Sequence, residues 1–223
     1  MLINHNSNLF VYVIARDFGF APNPFFGTCT LATCKPGIRK SAQIGDWVLG
    51  VAGSKLRKGL HRKCILLMKV TEKMSFQQYW EDDRFQLKKP CRNGSLMKMV
   101  GDNIYHKDVS GEWQQEDSHH SLPDGTTNFE NLNRDTGTCE DILLSTYFFY
   151  FGKGAVDVDL DSIEYRSGLG FKKLNLNTSG EARAIIEGIN NNYKKSLNYV
   201  IADPCQFEDS YQRVDQVTGR LTE

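Results

Sequence analysis

Two short polar segments contain most of the side chains that could carry out chemistry. They span residues 101–106 and 116–121, and together they include three of the five histidines, with carboxylate, hydroxyl and amide side chains between them. Groups of these types so close in sequence can converge on a ligand, a metal or a reacting bond. They can also satisfy the backbone of a polar hairpin without any further role.

The three histidines, His106, His119 and His120, allow four interpretations. If the chain is an enzyme, they are its candidate acid–base groups, with Asp102 or Asp117 orienting the imidazole. They can instead hydrogen-bond a base or phosphate without a reaction, or form a structural polar cluster. A metal site is the least favoured, because adjacent side chains on a strand point to opposite faces, so at most one of His119 and His120 can join His106. We therefore predict no metal.

A second group of candidates follows a predicted strand at residues 9–15, whose β-branched and aromatic side chains indicate burial. Arg16 and Asp17 come directly after it, and they can donate to a phosphate and accept from an amino group. Asn23, between two prolines, can pair with a base edge, and Phe25 can stack on a base. A salt bridge, an Asx turn and core packing also explain these residues.

Further candidates for phosphate and base contacts lie near Pro36 and around the next predicted strand. Lys35 and Arg39 flank Pro36, which suits the first turn of a helix, although a solvated basic face explains them equally well. Trp47 begins the strand and is a possible stacking wall, and Ser54 follows its end. No Walker A sequence accompanies Ser54, so nucleotide binding of the P-loop kind is not indicated.

Three residues complete the candidates. Asn103 and Tyr105, in the first polar segment, are predicted to contact the ligand together with His106. Cys34 is the cysteine that we consider as a nucleophile, because it lies beside Lys35 among the other candidates. A cysteine nucleophile needs a paired base, and a small buried apolar side chain is the more common role of such a residue.

The elements that must position these residues are mainly strands. Strands are predicted at residues 9–15, 47–52, 64–71 and 142–152, with a hairpin around Ser110–Gly111 and helices beginning near Ser75 and Ser179. Residues 122–139 are rich in Asp, Gly, Asn and Thr and predict a long loop. The pattern favours an α+β protein, mainly a partly open β-barrel with short flanking helices.

Composition restricts the class of protein further. The formal net charge is zero, but residues 35–107 carry 16 Lys and Arg against 6 Asp and Glu, and residues 108–223 carry 10 against 20. Such asymmetry is typical of a basic face for an anionic partner, although the two parts can also neutralise each other. We find neither an apolar run long enough for a membrane nor a signal peptide, so we expect a cytoplasmic protein with reduced cysteines.

The turn at Gly45–Asp46 before Trp47, with its preceding basic helix, resembles the PUA-like group, which includes the ASCH, EVE and YTH domains. A likeness over residues 9–152 is to the bacterial and phage family named nucleotide modification associated domain 2. It is carried by residues 15–17, 20–25, 30–36, 38–39, 45–47, 94–96, 101–106 and 117–121. The resemblance implies a single domain over residues 1–223, with a PUA-like barrel at about 8–152 and a C-terminal extension at about 153–223.

The resemblance also implies a substrate class, a nucleotide or modified base, and possibly DNA. We predict a binding module in a nucleotide modification pathway, with Arg16, Asp17 and Asn23 reading the ligand and Lys35, Arg39 and His106 holding phosphate. The alternative is a nucleotide- or base-modifying enzyme that uses histidine acid–base chemistry. A third possibility is a subunit that docks to a partner modification enzyme. No sequence motif indicates a cofactor, and we expect none.

Overall fold

The computed structural model describes residues 2–168, 170–214 and 221–222. Its strands are β1 (Asn8–Ile14), β2 (Cys29–Leu31), β3 (Trp47–Ala52), β4 (Cys64–Lys69), β5 (Glu72–Ser75), β6 (Tyr105–Lys107), β7 (Trp113–Gln115), β8 (Asp141–Ser145), β9 (Phe148–Tyr150), β10 (Phe171–Asn175), β11 (Arg213–Val214) and β12 (Leu221–Thr222). Its α-helices are α1 (Pro36–Ser41), α2 (Phe76–Glu81), α3 (Leu96–Met99), α4 (Phe129–Thr136) and α5 (Gly180–Tyr193). Short 3-10 turns connect several of these elements.

The centre of the fold is a five-stranded sheet in the order β10-β1-β3-β4-β9 within the described residues. Strands β1 and β3 are parallel, from Leu9 opposite Trp47 to Ile14 opposite Ala52, and the other pairs are antiparallel. Alternate side chains of β1 enter two apolar clusters, one on each face. Helix α5 covers one face with Ala182, Ile186 and Ile189, so both faces are buried.

A smaller sheet in the order β2-β8-β5 lies beside the central one. Helix α1 contacts β8, and α2 contacts the β6–β7 hairpin. Ser75 begins α2 with a capping box, because its hydroxyl accepts from the Gln78 amide while the Gln78 side chain accepts from the Ser75 amide. This second layer carries the segments that reach the end of β1.

The mixed α+β class is confirmed, and so are the strands β1, β3 and β4 and the helices that begin after Ser75 and Ser179. The strands of the described residues form several sheets and no closed barrel, and the finer expectation of a partly open barrel stays a prediction. The single strand predicted at 142–152 is two strands, since the chain turns at residues 146–147 and passes from the small sheet to the large one.

The predicted loop at 122–139 was also wrong in part, because it contains α4. The Asn128 side chain accepts from the amides of Glu130 and Asn131 and caps the helix. The helix is rich in polar residues, yet Leu132 and Asp135 are buried. Polar residues that indicated a loop thus belong to a short helix, where they cap its first turn or face the protein interior.

Residues 203–212 return across the molecule to the carboxyl end of β1. The buried Asp17 carboxylate accepts from the Tyr150 hydroxyl and, at 2.9 Å, from the Cys205 amide, and the Asp17 carbonyl accepts from the Gln206 amide at 2.8 Å. Burial raises the pKa of Asp17, which these hydrogen bonds oppose. One carboxylate therefore joins three distant parts of the chain.

Candidate functional site

A cleft of about 280 Å³ opens at the carboxyl end of β1. This edge is where the last residues of β1 meet the turn before α1, the second polar segment and the end of α4. Its volume suits part of a small molecule, such as one base or one phosphoryl group. The lining residues are Tyr12, Val13, Ile14, Ala15, Arg16, Phe18, Phe20, Ala21, Cys34, Lys35, His119, His120 and Arg134.

Cys34 occupies a tightly fixed turn between β2 and α1. Its φ angle is 58°, in the left-handed region, which is uncommon for a residue with a β-carbon. Its amide donates to Asp135 Oδ1 at 2.9 Å, and its carbonyl accepts from Arg39 Nε at 2.9 Å. Both backbone groups of Cys34 are thus held, and its thiol is presented to the cleft in a set position.

The Cys34 thiol lies next to a histidine that a carboxylate orients. Cys34 Sγ is 3.8 Å from His120 Nε2, and His120 Nδ1 is 3.1 Å from Asp135 Oδ2. Because a carboxylate only accepts, the shorter contact to Asp135 favours a proton on Nδ1 over the 3.3 Å contact from Arg134 Nη2, and this leaves Nε2 for the thiol proton. A nucleophile, a base and an orienting carboxylate in this chain of contacts are the parts of a catalytic triad.

Asp135 has no exposed surface, and it is surrounded by donors. Its Oδ2 accepts from the Tyr105 hydroxyl at 3.0 Å, and its carboxylate forms a two-pronged pair with Arg134 at 2.9 Å for each contact. Burial alone would raise the pKa of Asp135, but the donors His120 and Arg134 lower it well below its usual range. Asp135 therefore stays ionised at the centre of the site.

The electrostatics of the thiol and the imidazole are coupled. Burial acts to raise the pKa of Cys34, but the charge and hydrogen bond of His120 together with the Arg134 charge outweigh it, and the net pKa is lowered. Burial acts to lower the pKa of His120, but Cys34 and Asp135 outweigh it, and the net pKa is raised. Both directions favour a thiolate–imidazolium pair over two neutral groups, which is the reactive state of a cysteine nucleophile.

Arg39 fixes the backbone on the buried side of this triad. It is fully buried, and its guanidinium donates to the carbonyls of Cys34 at 2.9 Å, Cys139 at 3.2 Å, Asp141 at 2.6 Å and also Asp135. The planar fork of arginine can reach several carbonyls at once, unlike lysine. Arg39 thus ties the turn that carries Cys34 to the helix that carries Asp135.

Aromatic rings form one wall of the cleft. The His119 ring centroid lies 4.5 Å from that of Phe18 and 5.2 Å from that of Phe20, which also lies 4.5 Å from His120. Burial lowers the pKa of His119 to about 3, with the His120 charge acting in the same direction. His119 is therefore neutral, and its Nδ1 donates to the Gln212 carbonyl at 2.7 Å.

The cleft lining also includes cations and a buried tyrosine. Lys35 Nζ lies 5.2 Å from the Tyr12 ring centroid, and Arg16 and Arg134 also line the cleft. The Tyr12 side chain is 1% exposed, and within the described residues its hydroxyl has no hydrogen-bond partner. A buried polar atom without a partner costs free energy, so a ligand that bonds to it gains affinity.

The cleft thus unites Arg16, Lys35, His119 and His120 from the predicted site residues. Two more, Tyr105 and Arg39, lie behind it and contact Asp135. Asp17 supports the cleft from the core side through its contacts to residues 205–206.

Asn23 and Phe25 lie in a different environment, the third apolar cluster and its polar neighbours. Asn23 is fully buried, and its amide bonds to the Val100 carbonyl at 2.8 Å and to Lys88 Nζ at 2.7 Å. The Phe25 ring stacks on Phe207 at 5.3 Å. These contacts connect parts of the chain that are distant in sequence, and they leave both residues inside the protein.

The last four predicted site residues also lie outside the cleft lining. Trp47 and Asn103 are buried, and Ser54 is exposed in the turn after β3. His106 stacks on Trp80 at 4.1 Å and pairs with Glu116 at 2.8 Å. The two polar segments therefore contact each other through His106 and Glu116, and only the second one contributes residues to the cleft lining.

Three residues of the site had weak or no sequence signals. The sequence favours an apolar role for Cys34 over that of a nucleophile, because a paired base is not recognisable near it; His120, which it contacts, lies 86 residues away. Asp135 lay in a segment interpreted as a loop, and Asn128 before residues 129–136 was the helix-capping signal that would have placed it. Tyr12 resembled any other buried strand residue.

The described residues hold no group of three or more His, Cys, Asp and Glu side chains that could bind a metal ion. In the same part of the chain, no helix has the length and apolar character needed to cross a bilayer. All six cysteines are present as free thiols.

Comparison with known proteins gives one family. The sequence model described as nucleotide modification associated domain 2 matches residues 6–211 of the chain. No curated protein and no solved structure matches the chain.

Proposed function

Because the chain belongs to the nucleotide modification associated domain 2 family, we propose that it is a cysteine-dependent enzyme that acts on a nucleotide-derived substrate. The observation that supports this proposal is the contact chain Cys34–His120–Asp135 at the edge of a cleft. The favoured reaction class is acyl transfer, either to an amine or to water, because this set of side chains suits attack on a carbonyl carbon.

The reaction begins when the Cys34 proton moves to His120 Nε2. The thiolate attacks the carbonyl carbon, and a sulfur–carbon bond forms as the carbonyl electrons move to oxygen. When the tetrahedral intermediate collapses, the bond to the leaving group breaks, and His120 gives it the proton. An amine or water then attacks the thioester, its proton passes to His120 and on to the departing thiol, and Cys34 is restored. Asp135 holds the imidazole in the tautomer and orientation that both halves require.

The walls of the cleft favour a substrate with a planar ring and an anionic group. Phe18, Phe20 and His119 offer aromatic surface for a base. Arg16 and Lys35 offer cations for a phosphate or carboxylate. The Tyr12 hydroxyl can donate to a carbonyl or phosphoryl oxygen of the same ligand.

A binding module in the same pathway would use these walls without turnover, and the reactivity of Cys34 distinguishes the two functions. Burial raises the pKa of Cys205 to about 12, and Cys91 is half-buried at a distance in sequence. We expect iodoacetamide at pH 6 to alkylate Cys34 first, with Cys91 and Cys205 as internal controls, read by peptide mass spectrometry. The replacement His120→Gln should remove that preference.

The second part of the test uses an activated ester such as p-nitrophenyl acetate. The enzyme should give a burst of nitrophenol and an acetyl group on Cys34 that mass spectrometry locates, and Cys34→Ser should give neither. If Cys34 is no more reactive than Cys91 and carries no acetyl group, the enzyme proposal is wrong and the binding module is favoured. We propose a cytoplasmic location, where thiols are kept reduced. The PUA-like relationship stays a prediction.

A further inference from the structure

A basic loop lies beside the mouth of the cleft. We define it as residues 53–63, which connect β3 to β4. Because β1 and β3 are parallel, their carboxyl ends meet at the same edge of the sheet, and the Gly53 amide donates to the Ile14 carbonyl at 2.9 Å. Ile14 and the next two residues line the cleft. The start of the basic loop is therefore bonded directly to a wall of the cleft.

The basic loop has a defined conformation, because its apolar residues and its carboxyl end are held by contacts with the rest of the protein. Leu56 and Leu60 pack against the apolar cluster of the sheet, and the Arg62 amide donates to the Ala52 carbonyl at 2.9 Å. Arg62 pairs with Asp161, and Lys63 pairs with Asp157 at 3.0 Å. The conformation of the basic loop is thus set by contacts that do not involve its outermost cations.

Those outermost cations are Lys55, Arg57 and Lys58, and all three are exposed. Lys55 lies two positions after Gly53, whose amide is bonded to the cleft-lining residue Ile14. Arg16 and Lys35 line the cleft itself, so cations are present both in the cleft and on the loop that is bonded to its wall. A ligand with several phosphates could contact both groups of cations.

We propose that the substrate of this site is part of a single-stranded polynucleotide, whose phosphate backbone lies on the basic loop while one base enters the cleft. This inference rests on the proposed function for the reacting site, but its surface is a separate one. A base must leave the duplex stack to reach a thiol inside a cleft, so a single strand is the favoured form. Cations on a protein surface bind a polynucleotide backbone and release its counterions.

The test is the salt dependence of binding, measured by fluorescence anisotropy with a labelled oligo-dT of about 20 nucleotides. The full chain is compared with the triple variant Lys55→Gln, Arg57→Gln and Lys58→Gln. We expect the slope of log K against log salt to become shallower by about two, since each lost phosphate contact on a single strand removes about 0.7. Far-ultraviolet circular dichroism checks that the variant is folded.

The matched control is the double variant Lys194→Gln and Lys195→Gln, which removes two exposed cations after α5. It should bind oligo-dT with the slope of the unaltered chain. An unchanged slope in the basic-loop variant, an equal loss in the control, or equally tight binding of poly-glutamate would each overturn the inference. So would competition by dTMP as effective as that of the oligonucleotide, per phosphate.

The two proposals fail separately. If the unaltered chain has a reactive Cys34 but no salt-dependent binding of oligo-dT, the inference is wrong and the proposed function stands. If it binds oligo-dT through the basic loop but Cys34 is unreactive, the proposed function is wrong and the surface is that of a nucleic-acid-binding module.

Discussion

Asp135 Oδ2 and His120 Nδ1 are 3.1 Å apart, and the carboxylate has no exposed surface. This relationship joins α4 to the second polar segment, and it sets which imidazole nitrogen faces Cys34. A buried ionised carboxylate is stable only with donors around it, and here His120, Arg134 and Tyr105 supply them. The site is therefore a charged network whose members depend on one another.

Replacing Asp135 by Asn tests that dependence. The variant should alkylate Cys34 at pH 6 about 10²-fold more slowly, because the imidazole loses the partner that fixes its tautomer and stabilises its cation. The measurement is the pH profile of iodoacetamide labelling, which should move to higher pH. Asp141→Asn is the control, since that partly exposed carboxylate pairs with Lys73. An equal shift in both variants would count against the role of Asp135.

Replacing Tyr12 by Phe should leave the free energy of unfolding unchanged or raise it by up to about 1 kcal/mol. The reason is that the hydroxyl is buried without a partner in the described part of the chain. The matched variant Tyr105→Phe should cost about 2 kcal/mol, because that hydroxyl donates to the Asp135 carboxylate. Urea unfolding measures both, and an equal loss in the two variants would show that Tyr12 has a structural partner.

The neutral state of His119 predicts a loss of stability in acid. Burial lowers the pKa of His119 to about 3 in the folded chain, whereas it is about 6.5 in an unfolded one. Below about pH 6.5 the unfolded state binds the extra proton, so the free energy of unfolding falls as pH falls, by up to about 1.4 kcal/mol per pH unit. His119→Gln should remove that component from urea unfolding measured between pH 7 and pH 4.5. A variant with the same slope would exclude His119 as its source.

The burial of Lys88 predicts that the free energy of unfolding changes at alkaline pH. It is 1% exposed, and its Nζ donates to the Asn23 carbonyl at 2.9 Å and the Thr28 carbonyl at 2.6 Å. Burial lowers its pKa to about 8, so between pH 8 and about 10.4 the unfolded state binds more protons, and stability from this group rises with pH.

Replacing Lys88 by Met should abolish that rise and cost about 3 kcal/mol at pH 7, because the carbonyls that Lys88 bonds lose their donor. Lys40→Met, at an exposed position, is the control and should change neither quantity. Urea unfolding at pH 7 and pH 9.5 measures both effects. A variant that keeps the alkaline rise would assign it to another group.

The parts of the fold that the sequence predicted are those with a local signal. The apolar run at residues 9–15 and the Ser75 and Ser179 caps depend on neighbours in the chain, and they are confirmed. The way strands assemble depends on pairs such as Leu9 with Trp47, which are distant in sequence. Periodicity does not specify such pairs, so the division of the strands among several sheets could not be predicted from the sequence.

The candidate site depends even more strongly on contacts between residues that are distant in sequence. His120, Arg16 and Lys35 were predicted as site residues from their types, and they line the cleft. The contacts of Cys34 with His120 and Asp135 were not predicted, because they span 86 and 101 residues. His106 is also a histidine with polar neighbours in the sequence, yet it stacks on Trp80 and does not line the cleft. Only their tertiary contacts distinguish these two histidines from each other.

The return of residues 203–212 to the end of β1 affects when the site can form during synthesis. Asp17 cannot form its hydrogen bonds until the amides of residues 205 and 206 are present, and His119 needs the carbonyl of Gln212. A ribosome releases the chain from the amino end, so Cys34, His120 and Asp135 leave the exit tunnel well before the segment that braces their cleft. The complete cleft is thus assembled late, and a nascent chain halted at residue 200 should contain Cys34, His120 and Asp135 without the reactivity that we propose for Cys34.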